Sequence, residues 1–350
     1  MHDNLKTDIK DLTKQELALW LNDHDIRSFH AEQIFKWIYI RQADSFHVMT
    51  DLGKIARDLL SLNFSINRLD IKGIENSEDG SRKYLIQLND GRYIESVLIP
   101  EKDHYTLCIS TQVGCAQGCL FCMTARAGFI RNLSSGEITA QIRDIKKNMA
   151  DSSLLKNIVF MGMGEPLANF NNVIRAIEVI TDGDSGFKFS TRRVTVSTAG
   201  LVPKLFDLGR NTSVNLAISL NATDDKKRSM LMPVNRKYPI KKLIEACELY
   251  PLPNRRKITF EYILIKGIND SEDDAERLAK LLRPVKAKIN LIPFNEHKES
   301  DFKRPSDALV RNFQKILSDN GYTTIVRQSK GRDISAACGQ LGAGLNRPGD

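Results

Sequence analysis

From residue 105 onward the sequence alternates short apolar runs with longer amphipathic stretches, and this alternation is the feature that most constrains the fold. Seven runs of strand length lie at 106–111, 158–161, 194–197, 215–220, 258–265, 289–293 and 324–327. Stretches with helical spacing lie between them, at 137–145, 173–180, 240–250, 275–282 and 308–317. Such repeated units predict an α/β fold whose parallel sheet curls into a full or partial (β/α) barrel. A doubly wound open sheet is the structural alternative.

The residues before this region predict two smaller units. A capping box formed by Thr13 and Glu16 starts the first of three apolar helical segments, which indicate a small accessory domain. Apolar runs at 84–88 and 93–99 flank the turn sequence Asn89-Asp90-Gly91, which predicts a β-hairpin. We predict domain limits of 1–75 for the helical domain, 76–104 for the hairpin linker, 105–328 for the barrel and 329–350 for a C-terminal tail.

Charge and hydrophobicity restrict the class of protein. The chain has 51 Lys and Arg residues against 43 Asp and Glu, which gives a net charge of +8 and is compatible with a polyanionic partner such as RNA. No stretch approaches the ~20 apolar residues of a membrane span, and the first residues lack the apolar core of a signal peptide. We therefore expect a cytoplasmic protein without a membrane partner.

The cysteines are clustered unevenly. Of six, three occupy the stretch Cys115-Ala-Gln-Gly-Cys119-Leu-Phe-Cys122, directly after a predicted strand. In a reducing compartment this favours metal or catalytic thiols over structural disulfides. Structural zinc normally takes four ligands, which here would need Cys108 or His104 as well, whereas three thiolates on a four-iron, four-sulfur cubane leave one iron without a protein ligand.

The spacing C-x3-C-x2-C resembles the radical S-adenosylmethionine (SAM) superfamily, in which the open iron of a [4Fe-4S] cluster binds SAM and an electron cleaves it to a 5′-deoxyadenosyl radical. The same resemblance accounts for Gly162-Met163-Gly164-Glu165-Pro166 at the end of a predicted strand. The Glu165 carboxylate can accept from the amino group of SAM, and Gly162 and Gly164 let the backbone approach the ligand.

Over nearly its whole length the chain resembles the RlmN/Cfr family of radical SAM RNA methyltransferases. The matching segments lie at 106–122, 128–133, 160–170, 194–203, 231–239, 291–296 and 333–341. The resemblance implies that Cys338 accepts a methyl group from one SAM to become S-methylcysteine. A second SAM supplies the radical that activates this methyl group for addition to an adenine carbon, which is too electron-poor for direct polar methylation.

The resemblance also implies roles for two further residues in releasing the RNA. Glu95 is the base that takes the ring proton, and Cys108 is the thiol that attacks the Cys338 sulfur and leaves a disulfide. The alternatives are an exposed hairpin carboxylate at Glu95 and inert buried thiols at Cys108 and Cys338. Cys247 matches no family motif and is expected to be inert.

Several SAM contacts are carried over by position. They lie near the carboxyl ends of predicted strands, where βα barrels bind their ligands, and comprise Gly164, Glu165, Ser197, Ser219, Leu220, Asn221 and Asn295. Many family members have His where this chain has Asn221, which leaves the details of that contact open.

Within the family, RlmN-like members methylate C2 of an adenosine in the peptidyl-transferase centre of 23S rRNA and of one in the tRNA anticodon loop, whereas Cfr-like members methylate C8. The segments at 164–167 and 216–222 favour the RlmN-like reading. We expect the helical domain and a basic set to contact RNA, an electron donor such as flavodoxin or ferredoxin, a monomer and a mobile tail after Cys338. The basic set is Arg192, Arg193, Arg255, Arg256 and Lys257.

Two other functions remain open at this point. One is a zinc-stabilised RNA-binding protein without catalysis, with Cys108, Cys115, Cys119 and Cys122 as ligands; it leaves Cys338 and the segment 162–166 unexplained. The other is a radical SAM enzyme that acts on a small molecule.

Overall fold

The computed structural model describes residues 6–297, 300–342 and 345. Its N-terminal part is helical, as predicted. The strands β1 (Thr7–Asp8) and β2 (Phe64–Ser65) pair in parallel around the helices α1 (Lys14–Asn22), α2 (His30–Phe35) and α3 (Lys54–Asn63). The predicted capping box is present, since the Glu16 N–H donates to Thr13 Oγ1 at 3.1 Å and the Thr13 N–H donates to Glu16 Oε2 at 2.8 Å.

A ten-stranded mixed sheet forms the centre of the molecule. Its strands are β3 (Asp70–Asn76), β4 (Arg82–Gln87), β5 (Tyr93–Pro100), β6 (Tyr105–Cys108), β9 (Leu155–Phe160), β10 (Val194–Thr198), β11 (Asn215–Ser219), β12 (Ile258–Leu264), β13 (Ala287–Pro293) and β14 (Thr324–Val326). The intervening β7 (Gln112–Gly114) and β8 (Phe129–Asn132) form a separate antiparallel pair.

Eight further helices follow, mostly as the crossovers of the sheet. They are α4 (Met123–Arg126), α5 (Ser135–Lys147), α6 (Phe170–Thr181), α7 (Val202–Asn211), α8 (Asp225–Leu231), α9 (Ile240–Glu248), α10 (Glu272–Leu281) and α11 (Asp307–Asp319). In α6, for example, Val173, Ile177 and Ile180 recur at helical spacing and are buried. Each such fully buried side chain contributes roughly 1.5–3 kcal/mol to folding. Within the described residues no helix is both long and apolar enough to span a bilayer.

Strand order decides between the two predicted architectures. The parallel strands run in the order β6, β9, β10, β11, β12, β13, β14, which is also their chain order. A doubly wound sheet reverses direction at a switch point, whereas steady progression in one direction is the arrangement of a (β/α) barrel. The sheet has free edges at β3 and β14, so the predicted partial barrel is confirmed and the ring is not closed.

All seven predicted parallel strands are present, and the predicted hairpin is the antiparallel pair β4–β5. The hairpin is joined to the barrel sheet, because β5 pairs with β6. One expectation was wrong: β3 lies largely in the stretch predicted as helical and adds a third antiparallel strand. The side chains of β3 are mostly exposed, so its sequence has little of the apolar periodicity from which a strand can be predicted. The predicted domain limits themselves stay a prediction.

A buried arginine ties the N-terminal part to the barrel. Arg143 of α5 is fully buried and donates from Nη2 to the carbonyl oxygen of Ala43 and to Asp44 Oδ1, both at 2.6 Å. Its neighbour Asp144 accepts from the Leu69 backbone N–H at 2.8 Å. Hydrogen bonds that involve a buried charge are among the stronger ones, so these contacts fix the two parts against each other.

Candidate active site

A tight loop holds the three clustered cysteines. This cysteine loop, residues 115–122, connects β7 to α4, and it opens at Gly114, whose φ is +75°. A Cβ at Gly114 would lie 1.8 Å from the carbonyl oxygen of Gly128, and that same oxygen accepts from the Cys115 N–H at 2.8 Å. Only glycine fits such a position. The backbone therefore fixes where the first cysteine points.

The cysteine loop forms one wall of a cavity at the carboxyl ends of the parallel strands, which encloses about 810 Å³ of empty space including the part open to solvent. Most of the predicted metal and SAM residues line it together, namely Cys115, Cys119, Cys122, Gly164, Glu165, Ser197, Ser219, Asn221 and Cys338. The structure thus brings into one place residues that are up to 223 positions apart in the chain, from Cys115 to Cys338.

Glu165 is held rigidly on the opposite wall. Its Oε1 accepts from the Leu167 N–H at 3.0 Å and its Oε2 accepts from the Ala199 N–H at 2.7 Å. Burial raises the pKa of Glu165, and these two backbone donors oppose that rise. Carboxylate oxygens have further lone pairs, so Glu165 can still accept from an ammonium group in the cavity.

Gly162 and Gly164 are required for a different reason from the predicted one, which was close approach of the backbone to a ligand. A Cβ at Gly162 would lie 2.7 Å from the Ile109 carbonyl oxygen, and a Cβ at Gly164, whose φ is +99°, would lie 2.5 Å from the Gln112 side chain. Close packing of the chain against itself therefore already requires glycine at both positions. Approach to a ligand is not needed to explain them.

Glu261 is a site residue that the sequence analysis missed. It lies in the middle of β12, lines the cavity and accepts from Ser197 Oγ at 3.2 Å. Burial raises its pKa, and the nearby charge of Arg327 lowers it. A carboxylate inside an otherwise apolar parallel strand was the available signal, because such strands are normally apolar throughout.

Two of the residues predicted to contact SAM have other partners. Leu220 is buried; its N–H donates to the Glu261 carbonyl oxygen at 3.0 Å, and its own carbonyl accepts from Arg228 Nε at 3.1 Å. Asn295 Oδ1 accepts from Arg332 Nε at 3.3 Å. Among the residues that line the described cavity, neither Leu220 nor Asn295 appears. Their backbone and side-chain groups hold the rim together around the cavity.

Asn221 lines the cavity and also supports its wall. Its φ is +59°, a left-handed conformation in which Asn and His are both enriched. Its Oδ1 accepts from the Ile263 N–H at 2.8 Å, and its Nδ2 contacts Met232 Sδ at 3.2 Å. The conformation gives a physical reason why Asn can stand where the family resemblance leads us to expect His.

The C-terminal tail is docked against the cysteine loop. The carbonyl oxygen of Gly339 accepts from the Met123 N–H, and that of Leu341 accepts from Thr124 Oγ1, both at 2.7 Å. Met123 directly follows the third cysteine of the loop. Residues 339–342 of the predicted mobile tail are therefore held by hydrogen bonds here, and 343–344 and 346–350 lie outside the described residues.

Cys338 and Cys108 differ in access. Cys338 is exposed to the cavity, whereas Cys108 is buried in β6, between β5 and β9. Burial raises the pKa of the Cys108 thiol, Cys338 and Glu261 raise it further, and Arg327 lowers it. All six cysteines are free thiols, so the disulfide that the resemblance implied is not found.

Glu95 is buried, so the alternative of an exposed hairpin residue is wrong. Its Oε2 accepts from the Gly342 N–H at 2.6 Å, and its Oε1 lies 3.3 Å from Lys83 Nζ. The Glu95 N–H contacts Met163 Sδ at 3.3 Å, next to the Gly162–Glu165 segment. Burial raises the pKa of Glu95, while the Gly342 N–H and the Lys83 charge oppose that rise.

The basic set that is predicted to contact RNA lies at the opposite end of the sheet from the cavity. Arg192 and Arg193 directly precede β10, and 255–257 directly precede β12, whereas the cavity lies at the carboxyl ends of these parallel strands. Arg256 donates to Thr191 Oγ1 at 3.0 Å and Arg193 to Asn157 Oδ1 at 3.3 Å. These arginines brace the amino ends of the strands, away from the entrance to the cavity.

The donor set fits an iron–sulfur cluster with one open iron. Three thiols line one cavity opposite a fixed carboxylate, and among the described side chains no three His, Cys, Asp or Glu residues converge as ligands of a single ion. Of the additional zinc ligands considered above, Cys108 lies inside the sheet, and His104 is engaged by Asp103 and Asn157 at 2.7 and 2.8 Å. Burial raises the pKa of Cys115, and a cationic centre would stabilise the thiolate form that a cluster ligand needs.

A partial (β/α) barrel with a three-cysteine loop at its catalytic rim defines a radical SAM enzyme. A family model described as the radical SAM superfamily matches residues 109–282, and one described as the ribosomal RNA large subunit methyltransferase N-terminal domain matches residues 7–66. A crystal structure of a radical SAM methyltransferase from Sphaerobacter thermophilus superposes with a TM-score of 0.90 at 42% identity, covering 96% of this chain and 99% of that one.

Curated relatives extend over the whole chain. A dual-specificity RNA methyltransferase RlmN from Desulfosudis oleivorans is 59% identical over 99% of this chain and 93% of its own length. One from Desulfotalea psychrophila is 46% identical over 96% of this chain and 95% of its own length. The chain belongs to the RlmN family of radical SAM RNA methyltransferases. This membership argues against both the non-catalytic zinc protein and a small-molecule radical SAM enzyme.

Proposed function

We propose that this chain methylates C2 of adenine in both 23S rRNA and tRNA through an S-methylcysteine at Cys338, and that it consumes two SAM molecules per turnover. The observation that carries the proposal is the docked tail: Cys338 opens onto the same cavity as the three cysteines and Glu165. A methyl carrier must reach the methyl group of SAM and the reacting adenine from one position, and this placement supports that. The dual specificity of its curated relatives supports the two substrates.

The chain's own residues have distinct roles. Cys115, Cys119 and Cys122 would hold a [4Fe-4S] cluster, which with SAM bound would supply the 5′-deoxyadenosyl radical. Glu165, Ser197 and Ser219 orient SAM from the facing strands. Cleavage of SAM also requires one electron, which a small carrier such as flavodoxin or ferredoxin supplies. The reaction takes place in the cytoplasm, where rRNA and tRNA occur.

Release of the methylated base requires a base and a thiol. Glu95 accepts the ring proton. The Cys108 thiol loses its proton and forms an S–S bond to Cys338, while the bond from Cys338 sulfur to the product carbon breaks and that carbon takes up a proton to become the methyl group. Cys338 acts electrostatically on Cys108 and raises its pKa, which supports this pairing. The two sulfurs leave this step oxidised and are reduced before the next turnover.

RNA docking is proposed at the rim that surrounds the cavity. The loops after β12, β13 and β14 carry exposed basic side chains, and the Lys266 N–H donates to the Lys303 carbonyl oxygen at 2.9 Å, which places two of them side by side. Arg327 and Lys330 follow β14. Clustered cations beside a cavity suit a phosphate backbone whose adenine is turned into the pocket.

The experiment is anaerobic reconstitution with iron and sulfide, followed by reaction with SAM, reductant and either 23S rRNA fragments or tRNA. Digested RNA is analysed by mass spectrometry, with wild type beside Cys338→Ala. The expected result is 2-methyladenosine in both RNAs, only with intact Cys338. 8-Methyladenosine would instead assign the Cfr-like reaction, and methylation by Cys338→Ala would refute the carrier.

A further inference from the structure

Three charged side chains form a ladder across the antiparallel strands beside the barrel. Glu75 of β3 and Lys83 of β4 are directly opposite each other, with Lys83 Nζ 2.9 Å from Glu75 Oε1. Lys83 Nζ also lies 3.3 Å from Oε1 of Glu95 on β5. The side chains of Glu95 and Lys83 are 7% and 9% exposed, whereas that of Glu75 is 57% exposed. The ladder runs from solvent to the proposed base.

A buried lysine in this position needs an explanation. Burial of an ammonium group costs several kcal/mol unless it is well paired, and an apolar side chain packs against a sheet without that cost. Lys83 spans the distance between two carboxylates, one buried and one exposed. It therefore acts on the ionisation of the buried one, because an opposite charge within ~4–6 Å favours the charged form of a carboxyl group.

Other groups around Glu95 oppose its ionisation, so a nearby cation is needed to stabilise the carboxylate. Burial favours its neutral form, and the charge of Glu75 acts in the same direction. The Gly342 N–H and Lys83 favour the ionised form, and Lys83 is the cation among the groups that act on it. A carboxyl group can accept a proton only while it is ionised, so the balance between burial and Lys83 sets the pH at which it is competent.

We propose that Lys83 is the positioning residue for the proposed base, holding the Glu95 carboxylate ionised and aimed until the ring proton is transferred. The inference rests on the proposed role of Glu95. In the transfer the ring C–H bond breaks, its electron pair stays with the ring, and the proton forms an O–H bond on Glu95. Lys83 then favours loss of that proton to solvent, which restores the carboxylate.

The test measures the pH dependence of product release in single turnovers with the full chain, cluster reconstituted and tRNA as substrate. Lys83→Met removes the charge but keeps the length of the side chain. It raises the Glu95 pKa, and because release needs the ionised carboxyl, the rising limb of the profile moves to higher pH by about 1 unit or more. Lys83→Arg keeps the positive charge and should return the rising limb of the profile to its wild-type pH.

Glu75→Gln gives the opposite sign at an exposed site that tolerates substitution. It removes a negative charge that raises the Glu95 pKa, so the limb moves to lower pH. Lys10→Met is the matched control, because Lys10 is also buried but pairs with Asp8 in the N-terminal part. In this variant the rising limb of the pH profile should stay at the wild-type position. Methyl loading of Cys338, followed by intact-protein mass, is unchanged in all variants.

The outcomes separate the inference from the function on which it rests. If Glu95→Gln releases product at the wild-type rate, the base assignment fails. If Glu95→Gln blocks release but the limbs of Lys83→Met and Glu75→Gln both coincide with wild type, only the role of Lys83 is overturned. If Lys83→Met does not fold, the pH profile of Glu75→Gln decides alone. A shift of its rising limb to lower pH supports the ladder, and an unchanged rising limb refutes it.

Discussion

The backbone N–H of Gly342 donates a 2.6 Å hydrogen bond to Oε2 of Glu95, which joins the C-terminal tail to the proposed base. A Gln side chain at position 95 can still accept this bond through its amide oxygen, but it cannot take up a proton. We therefore expect Glu95→Gln to keep the tail docked and to slow product release by about 10²–10⁴-fold. The protein–RNA adduct then accumulates and is visible on denaturing gels.

The control for this variant is Glu101→Gln, which removes an exposed carboxylate just beyond the same strand. It should release product at the wild-type rate. Equal adduct levels in the two variants would show that the effect is not specific to the buried carboxylate.

Substitutions at the rim of the cavity and at the amino ends of the strands should have different effects on RNA affinity. Lys266→Ala with Lys303→Ala should weaken tRNA binding and lower the slope of log affinity against log salt by roughly 1 per lost phosphate contact. Arg255→Ala with Arg256→Ala removes the same charge at the other end of the sheet and should leave the slope unchanged. Filter binding at several salt concentrations measures both, and the reverse result would move the RNA to the amino ends.

Arg228 stabilises the cavity from below. It is fully buried and donates to the carbonyl oxygens of Leu220, Ala199 and Ser219 at 3.1, 2.7 and 3.3 Å, which joins the ends of β10 and β11. Burial lowers its pKa to about 10, so it stays charged at neutral pH.

Arg228→Met removes these buried hydrogen bonds to the three carbonyls and should lower the free energy of unfolding by about 3 kcal/mol, as measured by urea denaturation. The exposed Arg210→Met on α7 should change it by less than about 0.5 kcal/mol. Equal effects of the two substitutions would contradict the role of the buried guanidinium.

Gly114 determines whether the cysteine loop can form. Gly114→Ala adds a Cβ that collides with the Gly128 carbonyl oxygen at a φ of +75°. We expect iron content after reconstitution to fall well below the roughly four per chain of an intact cluster. Gly183→Ala is the matched control, since nothing lies within 4 Å of its Cβ. Full iron loading of Gly114→Ala would mean that the loop can rearrange.

Exposure predicts the order in which thiols react in the cluster-loaded protein. Cys338 opens onto the cavity, whereas Cys108 and Cys247 are 7% and 1% exposed. Iodoacetamide should therefore modify Cys338 first, with Cys247 and Cys108 protected, as followed by peptide mass spectrometry. Faster modification of Cys247 than Cys338 would be inconsistent with a docked tail that leaves Cys338 open to the cavity.

Sequence patterns were sufficient for the parallel strands and the cysteine loop, because apolar periodicity and residue spacing are local properties. They did not identify Glu261 or Lys83 as parts of a site, because a single charged residue in a strand is usually interpreted as an exposed one. The position of the basic set could not be read for a related reason: a charge near a strand does not reveal at which end of the sheet it lies. β3 was missed because its exposed side chains carry almost no apolar signal.

The tail runs from β14, at one edge of the sheet, to the β3–β4 turn at the other, where Asp333 Oδ1 accepts from Ser77 Oγ at 2.5 Å across 256 positions. The segment that carries Cys338 is thus anchored at both free edges of the partial barrel. Any change in the spacing between those two edges would therefore also move the Cys338 thiol relative to the cysteine loop.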